Sequence, residues 1–368
     1  TFWEEPGSET SSSESLSGVE TVVAAPILNG AGGVIGALYG ERHRSVRAGQ
    51  QSLGTLEARL VELLARIVAG GLARVEEEQR AASANSMLEQ FFGPDLARTL
   101  REQPGMLEGR DRDVSILFCD IRGFSRISER LEAAQTIGWC RDVLGRFSRR
   151  VMDEGGVVVD YVGDGLMAMW GAPGEQPDHA ERACRAALAI LDELPGLNAR
   201  WQELLREPMD VGLGVNTGTA QVGNVGSQHK FKYGAMGTPV NVASRVQDST
   251  KRFKCQVLIT GETASLLGEG YPSRKLGAVK VNNIKQPVVV HQVFPRGHEQ
   301  AQEAKEEYEK ALAMFEREEY GPAARALGNW RGQARVPDEP ALVLLYRAVR
   351  AMVEGKPAGH PVWEFTEK

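Results

Sequence analysis

Residues 157–173 read VVVDYVGDGLMAMWGAP. Two apolar runs flank Gly163-Asp164-Gly165, and Asp-Gly between such runs is a strong short-range signal for a β-hairpin. The segment carries two carboxylates, Asp160 and Asp164, among residues suited to a core. A carboxylate is costly to bury unless a cation or hydrogen bonds neutralise it. What these two acids meet decides both the fold and the function.

Working outward, VSILFCDI (114–121) predicts a strand and ISERLEAAQTIGWCRDVLGRFSRRVMDE (127–154) a mostly helical stretch. After the hairpin, DHAERACRAALAILDEL (178–194) predicts a helix and MDVGLGVNTG (209–218) a strand. GTAQVGNVG (218–226) reads as a glycine-rich turn, NVASRVQDSTKRF (241–253) as a helix, CQVLIT (255–260) as a strand and VKVNNIKQPVVVHQVF (279–294) as a closing hairpin. Strand, helix, two strands, helix, strand is the ferredoxin-like order. Residues 109–296 are therefore expected to form an α+β domain, an α/β sandwich.

The flanks differ from this body. Residues 1–18 are rich in Ser, Glu and Gly and predict disorder. In 19–42 apolar residues alternate around Asn29-Gly30, a hairpin signal. In 55–79 Leu56, Leu60, Leu63, Leu64, Ile67 and Val68 form a helical stripe. Two strands and a long amphipathic helix over 19–80 resemble the C-terminal half of a GAF sensor domain; another small sensor or dimerisation unit has the same pattern. Residues 81–108 predict a helical linker, broken at Gly93-Pro94, that serves as a connector or a transducer. In 297–368 Tyr308, Ala311, Phe315, Tyr320, Ala324 and Leu327 have the spacing of a TPR-like helix pair, or of a helical hairpin packed on the body.

Bulk properties narrow the class. The chain has 368 residues and a net charge of −6, which gives no global basic field for nucleic acid or anionic lipid. No apolar run approaches the about 20 residues of a membrane helix. There is no signal peptide pattern, and the opening threonine reads as lying inside a longer chain. Cys119, Cys140, Cys184 and Cys255 are scattered without a CxxC pair, which favours reduced thiols in a cytoplasm.

Asp120 ends an apolar strand, and Gly123 opens a bare turn before the next helix. Such an Asp alone is a helix cap, and Asp164 alone is turn chemistry. In a ferredoxin-like sheet the first strand lies beside the hairpin, so the two acids converge. Two hard oxygen ligands beside a nest of N–H groups suit Mg²⁺ or Mn²⁺ carrying a substrate phosphate. Asn241 and Arg245 are four apart on one helix and share a face. Together they can orient an oxygen nucleophile and stabilise charge on phosphorus; alone, they are a solvated helix face with a salt bridge.

FCDIRGFS (118–125), DYVGDGLMAMWGAP (160–173), VGLGVNTG (211–218) and GTPVNVASR (237–245), in that order and spacing, resemble the catalytic domain of class III nucleotide cyclases. The likeness covers roughly residues 110–296. It implies that Asp120, Asp164 and the Ile121 carbonyl hold two metal ions, and that Asn241 positions the ribose while Arg245 stabilises the crowded phosphorus. It implies phosphate contacts at Arg122, Gly123, Phe124 and Lys285. It also implies a homodimer with two shared sites, the metal acids from one chain and the Asn/Arg pair from the other.

Two departures bear on substrate. Asp160 stands where adenylate cyclases of the family carry a base-reading lysine and guanylate cyclases a glutamate. The second base-reading position falls on Gly234, which has no side chain. A carboxylate accepts from guanine N1–H and N2 together, whereas adenine N1 offers it a lone pair. That favours GTP, while the greater abundance of adenylate cyclases in the family favours ATP. The usual triphosphate lysines fall on Asn282 and Ile284, with Lys280 and Lys285 as substitutes in a shifted register. The expected function is a purine nucleotide cyclase, with a nucleotide-binding pseudo-cyclase as the alternative.

Overall fold

Three antiparallel strands begin the chain: β1 (Phe2–Glu4), β2 (Val19–Leu28) and β3 (Val34–His43), in sheet order β1-β2-β3. The β2–β3 turn is held as its chemistry predicts, with Asn29 Oδ1 accepting from the N–H groups of Ala31 and Gly33. The computed structural model describes residues 2–4, 19–43, 53–92, 108–227, 231–268, 270–281, 284, 286–356 and 360–364. Within the expected disordered stretch, Phe2–Glu4 instead pair with Thr21–Val23, because β2 offers an open edge there; residues 5–18 lie outside the described residues.

Helix α1 (Thr55–Phe92) runs 38 residues without a break, through the expected boundary at residue 80. The Gly93-Pro94 breaker and the rest of the expected linker to 107 lie outside the described residues. Val23 and Ala25 of β2 and Ala65 of α1 are buried. The stripe from Leu56 to Val68 is exposed within this chain. Residues 1–91 form one unit and 92–368 a second.

In the second unit, β4 (Arg110–Ile121) leads through α2 (Phe124–Ser128) and α3 (Ala133–Asp153) to β5 (Val157–Val162) and β6 (Gly165–Trp170). Then come α4 (His179–Leu205), β7 (Val211–Gly226), β8 (Phe231–Met236), α5 (Thr238–Phe253), β9 (Val257–Thr260) and α6 (Gly261–Ser265). Strands β10 (Ser273–Lys280) and β11 (Val288–Val293) precede helices α7 (Ala301–Glu316), α8 (Tyr320–Gln333) and α9 (Glu339–Glu354) and the short β12 (Trp363–Glu364).

The sheet order is β12-β10-β11-β9-β7-β4-β6-β5, with β8 also on β7. Its β7-β4-β6-β5 part is antiparallel throughout, which is the ferredoxin-like arrangement. The alternation of a strand explains why 114–121 is apolar at nearly every position. Leu117, Cys119 and Ile121 pack against α3 and α4 on one face. Val114 and Ile116 pack on the other face with Met167, Met169, Tyr233 and Ala243.

Three elements depart from the sequence reading. The glycine-rich stretch 218–226 is not a turn but the second half of β7, because β8 pairs along it, Gly223 opposite Gly234. Helix α4 continues past Leu194 and through Pro195 to Leu205, where buried Leu197 and Leu205 extend its apolar face. The expected helix over 127–154 is split, and a capping box between Glu132 and Gln135 starts α3 afresh.

The C-terminal helices share a core with the sheet. Tyr308, Phe315, Leu327 and Leu344 bury against β10, β11 and the Val242, Val246 and Phe253 face of α5. Arg274 and Asp338 form a buried ion pair at this junction, with Trp330 Nε1 donating to Asp338 Oδ2 at 2.8 Å. The tail is thus packed on the body, the second of the two arrangements its spacing allowed.

Candidate active site

Close approach of two strand ends builds the acid pair. Cys119 of β4 lies opposite Leu166 of β6. A Cβ on Gly165 would stand 2.4 Å from the Cys119 carbonyl oxygen, so only glycine lets the hairpin tip close on Asp120. The tip then sets Asp164 beside Asp120, whose Oδ1 would lie 3.5 Å from that same Cβ. Burial first, and the like charge of Asp120 second, push the Asp164 carboxyl up to about 6; the N–H groups of Asp164 and Ile121 bond to it and pull the other way. Ile121 therefore joins the two acids at the same end of the sheet.

Lys251, in the last turn of α5, adds a cation. Its Nζ lies 3.2 Å from Asp120 Oδ2. The register explains the contact: Asp120 pairs with Gly212 of β7, and a Cβ on Gly212 would meet Thr250 Oγ1 at 2.3 Å. Thr250 thus sits over Gly212, and the next residue reaches Asp120. Sequence reasoning missed Lys251 because a helix's roll over a strand is not written in its own periodicity.

These residues fit a divalent cation. Two crowded carboxylates, one of them driven toward protonation by burial and then by the other, gain from a cation between them, and carboxylate and carbonyl oxygens are the donors that Mg²⁺ and Mn²⁺ take. Among the described residues no cluster of three or more His, Cys, Asp or Glu side chains forms a metal cage. A pair of acids leaves coordination positions for waters and substrate phosphates.

Helix α5 is seated on β7 at equally close range. A Cβ on Gly214 would stand 2.2 Å from the Gln247 backbone nitrogen, so the glycines of VGLGVNTG make room for the helix. Asn216, which the sequence reading did not single out, donates from Nδ2 to the Pro239 carbonyl at 3.0 Å and fixes the start of α5. Its Oδ1 accepts from Thr260 Oγ1 at 2.9 Å. With its inner face buried, α5 presents Asn241 and Arg245 outward, both exposed. Arg245 pairs with Asp248 at 2.9 Å. Among the described residues neither Asn241 nor Arg245 bonds to Asp120 or Asp164 of its own chain.

The expected phosphate contacts divide. Arg122 is not free for a phosphate: its N–H donates to the Asp210 carbonyl at 2.8 Å and its guanidinium to the Cys255 carbonyl at 2.6 Å, with Asp210 as ion partner. Phe124 stacks on Trp139 with centroids 5.5 Å apart, so only its backbone is open to a ligand. Gly123 takes φ 69°, the left-handed turn that starts α2. Lys285 and Asn282 lie outside the described residues, and Lys280 pairs with Glu364 at 3.0 Å.

At the expected base position, Asp160 ion-pairs with Lys232 of β8, which the sequence reading did not name. Gly234, two residues on, is buried; a Cβ there would stand 2.7 Å from Val159 Cγ1.

Residues 107–294 match the family model described as the adenylate and guanylate cyclase catalytic domain. Over 182 residues the chain is 32% identical to adenylate cyclase 1 of Rhizobium meliloti, covering 50% of this chain and 27% of that protein. It is 29% identical over 189 residues to an adenylate cyclase of Anabaena cylindrica, covering 50% of this chain and 37% of that one. The chain therefore spans well under half the length of either relative. A bacterial light-regulated adenylyl cyclase shares its fold at TM-score 0.51 and 22% identity, over 63% of this chain and 65% of that one.

Proposed function

The chain belongs to the family of adenylate and guanylate cyclase catalytic domains, and on that premise we propose that it converts ATP to 3′,5′-cyclic AMP and pyrophosphate. The 3′-oxygen of the ribose bonds to the α-phosphorus, the bond from that phosphorus to the bridging oxygen of the β-phosphate breaks, and the hydroxyl proton passes to solvent. Asp120, Asp164 and the Ile121 carbonyl would hold two ions, Mg²⁺ or Mn²⁺, which when bound supply the charge that acidifies the 3′-hydroxyl and offsets that of the triphosphate. Asn241 orients the ribose, and Arg245 stabilises charge on the pentacoordinate phosphorus; these are positioning and electrostatic roles. The N–H groups of Gly123 and Phe124 lie at the acid end of the sheet and can face a phosphate. The Asp120–Asp164 contact carries this reading.

The outward face of α5 supports a homodimer in which each site takes its acids from one copy and its Asn/Arg pair from the other. No described helix is long and apolar enough to cross a membrane, and all four cysteines are free thiols. Both accord with work in a cytoplasm, where ATP and Mg²⁺ are at hand. The first unit, a small sheet with a long helix, is the proposed GAF-like input for a small molecule or protein. The tail acts as part of the catalytic unit, more than as a TPR-like array.

Incubating the purified chain with Mn²⁺ or Mg²⁺ and ATP or GTP, and separating the products by chromatography, tests the reaction. A cyclic monophosphate should form, and Asp120→Ala or Asp164→Ala should abolish it. Nucleotide binding with no turnover under either metal would replace the enzyme with a pseudo-cyclase. GTP is the second reading, because Asp160 is a carboxylate at the base position.

A further inference from the structure

Strand β8 carries an ammonium beside Asp160, the residue expected to meet the purine edge. Lys232 and Gly234 are two apart on this strand and so share a face. Gly234 cannot bear a side chain, since Val159 fills the space. Lys232 instead reaches across to Asp160 on β5, and both side chains remain 43% exposed, open to a ligand. The pair presents one donor and one acceptor side by side.

We infer that Lys232 and Asp160 together read adenine, the ammonium donating to N1 and Asp160 Oδ2 accepting from the N6 amine. The inference rests on the cyclase reading for the presence of a purine at this place. Its selectivity follows from hydrogen-bond bookkeeping. Guanine in the same pose sets O6 against the carboxylate and N1–H against the ammonium, acceptor to acceptor and donor to donor. Sliding guanine along the edge brings O6 to Lys232, but N1–H and N2–H₂ then require both oxygens of Asp160. Oδ1 already accepts from the Tyr161 N–H at 3.0 Å and Oδ2 from Lys232. Guanine would then ask each oxygen for a further hydrogen bond, adenine only one of them. The carboxylate that by itself favours guanine is thus turned toward adenine by its neighbour.

Three proteins test this: the wild-type chain, Lys232→Met, which keeps length without charge, and Lys232→Arg, which keeps donors. Each is measured for kcat and KM with ATP and GTP, and for displacement of a fluorescent ATP analogue by either nucleotide in Ca²⁺. Wild type should prefer ATP. Lys232→Met should raise KM for ATP and lower the ATP-to-GTP selectivity by about tenfold or more, as expected where a site loses its partner for a base edge. Lys232→Arg should retain the ATP preference. A wild type that prefers GTP, or an unchanged selectivity in an active Lys232→Met, overturns the inference and leaves the cyclase reading standing. Selective binding that depends on Lys232 without turnover of either nucleotide leaves the inference standing and removes the cyclase reading. Binding of neither nucleotide removes both.

Discussion

The Lys251 ammonium stands 3.2 Å from Asp120 Oδ2, on the acid proposed to hold a divalent cation. Lysine and metal compete for the same oxygen. Lys251→Gln should therefore lower the Mn²⁺ concentration needed for half of the maximal rise in melting temperature. A half-exposed ion pair is worth up to about 1 kcal/mol, so the shift should be within roughly fivefold. An unchanged midpoint would show that the lysine leaves the site to the metal at no cost.

Asp164 gives the acid pair a stability signature of its own. Its carboxyl is raised to about 6, by burial and then by Asp120. Between its ordinary range and that value the folded chain binds more protons than the unfolded one, so this group's contribution to stability falls as pH rises through the window. Asp164→Asn should melt a few degrees above wild type at pH 8 in EDTA, and the gap should close as pH falls below about 4. Thermal melts across pH measure it directly; a variant no more stable at pH 8 would mean the two acids do not repel.

The Arg274–Asp338 pair makes the opposite prediction. Burial raises the Asp338 carboxyl, but the Arg274 guanidinium, aided by Trp330 and the Ala341 N–H, holds it below its usual range. Its contribution is present above the unfolded carboxylate range and is lost as pH falls through the lower folded value. Asp338→Ala leaves a buried guanidinium without its counter-charge and should cost about 3–5 kcal/mol. Denaturant unfolding at neutral pH should show this loss; a loss below about 1 kcal/mol would place the pair among ordinary surface bridges.

Gly165 sets the spacing of the acids. Gly165→Ala puts a methyl 2.4 Å from the Cys119 carbonyl, and backbone crowding of this kind costs about 1–3 kcal/mol. The strand end should move off Asp120, so that turnover falls by about tenfold or more while the melting temperature drops only by several degrees. Full activity in this variant would mean the tip tolerates displacement.

Much of the site was legible because strand order alone brings Asp120 and Asp164 together. The apolar run 114–121 and the Gly-Asp-Gly turn fix neighbours without knowledge of distant contacts. Lys251 and Lys232 were not legible, since each depends on how one element lies over another. The second half of β7 differs from the sequence reading for a physical reason: Gly218, Gly223 and Gly226 look like turn residues, yet Gly218 lies under Pro239 and β8 pairs along the stretch from Gln221 to Gly226. The resemblance implies a phosphate contact at Arg122, whereas its hydrogen bonds hold the β4 end to the chain near Cys255. Pro195 looked like a helix end, but the apolar residues beyond it carry α4 onward.

The most direct test of the central claim mixes two inactive proteins. Asp164→Ala lacks a metal acid and Arg245→Ala lacks the phosphorus-stabilising cation, so each homodimer has two broken sites. If the sites are shared between copies, the mixed dimer has one intact site, and an equal mixture should recover about a quarter of wild-type cyclic AMP formation. Two active homodimers of the single variants, or a mixture as silent as its parts when mixed dimers are present, would contradict the account.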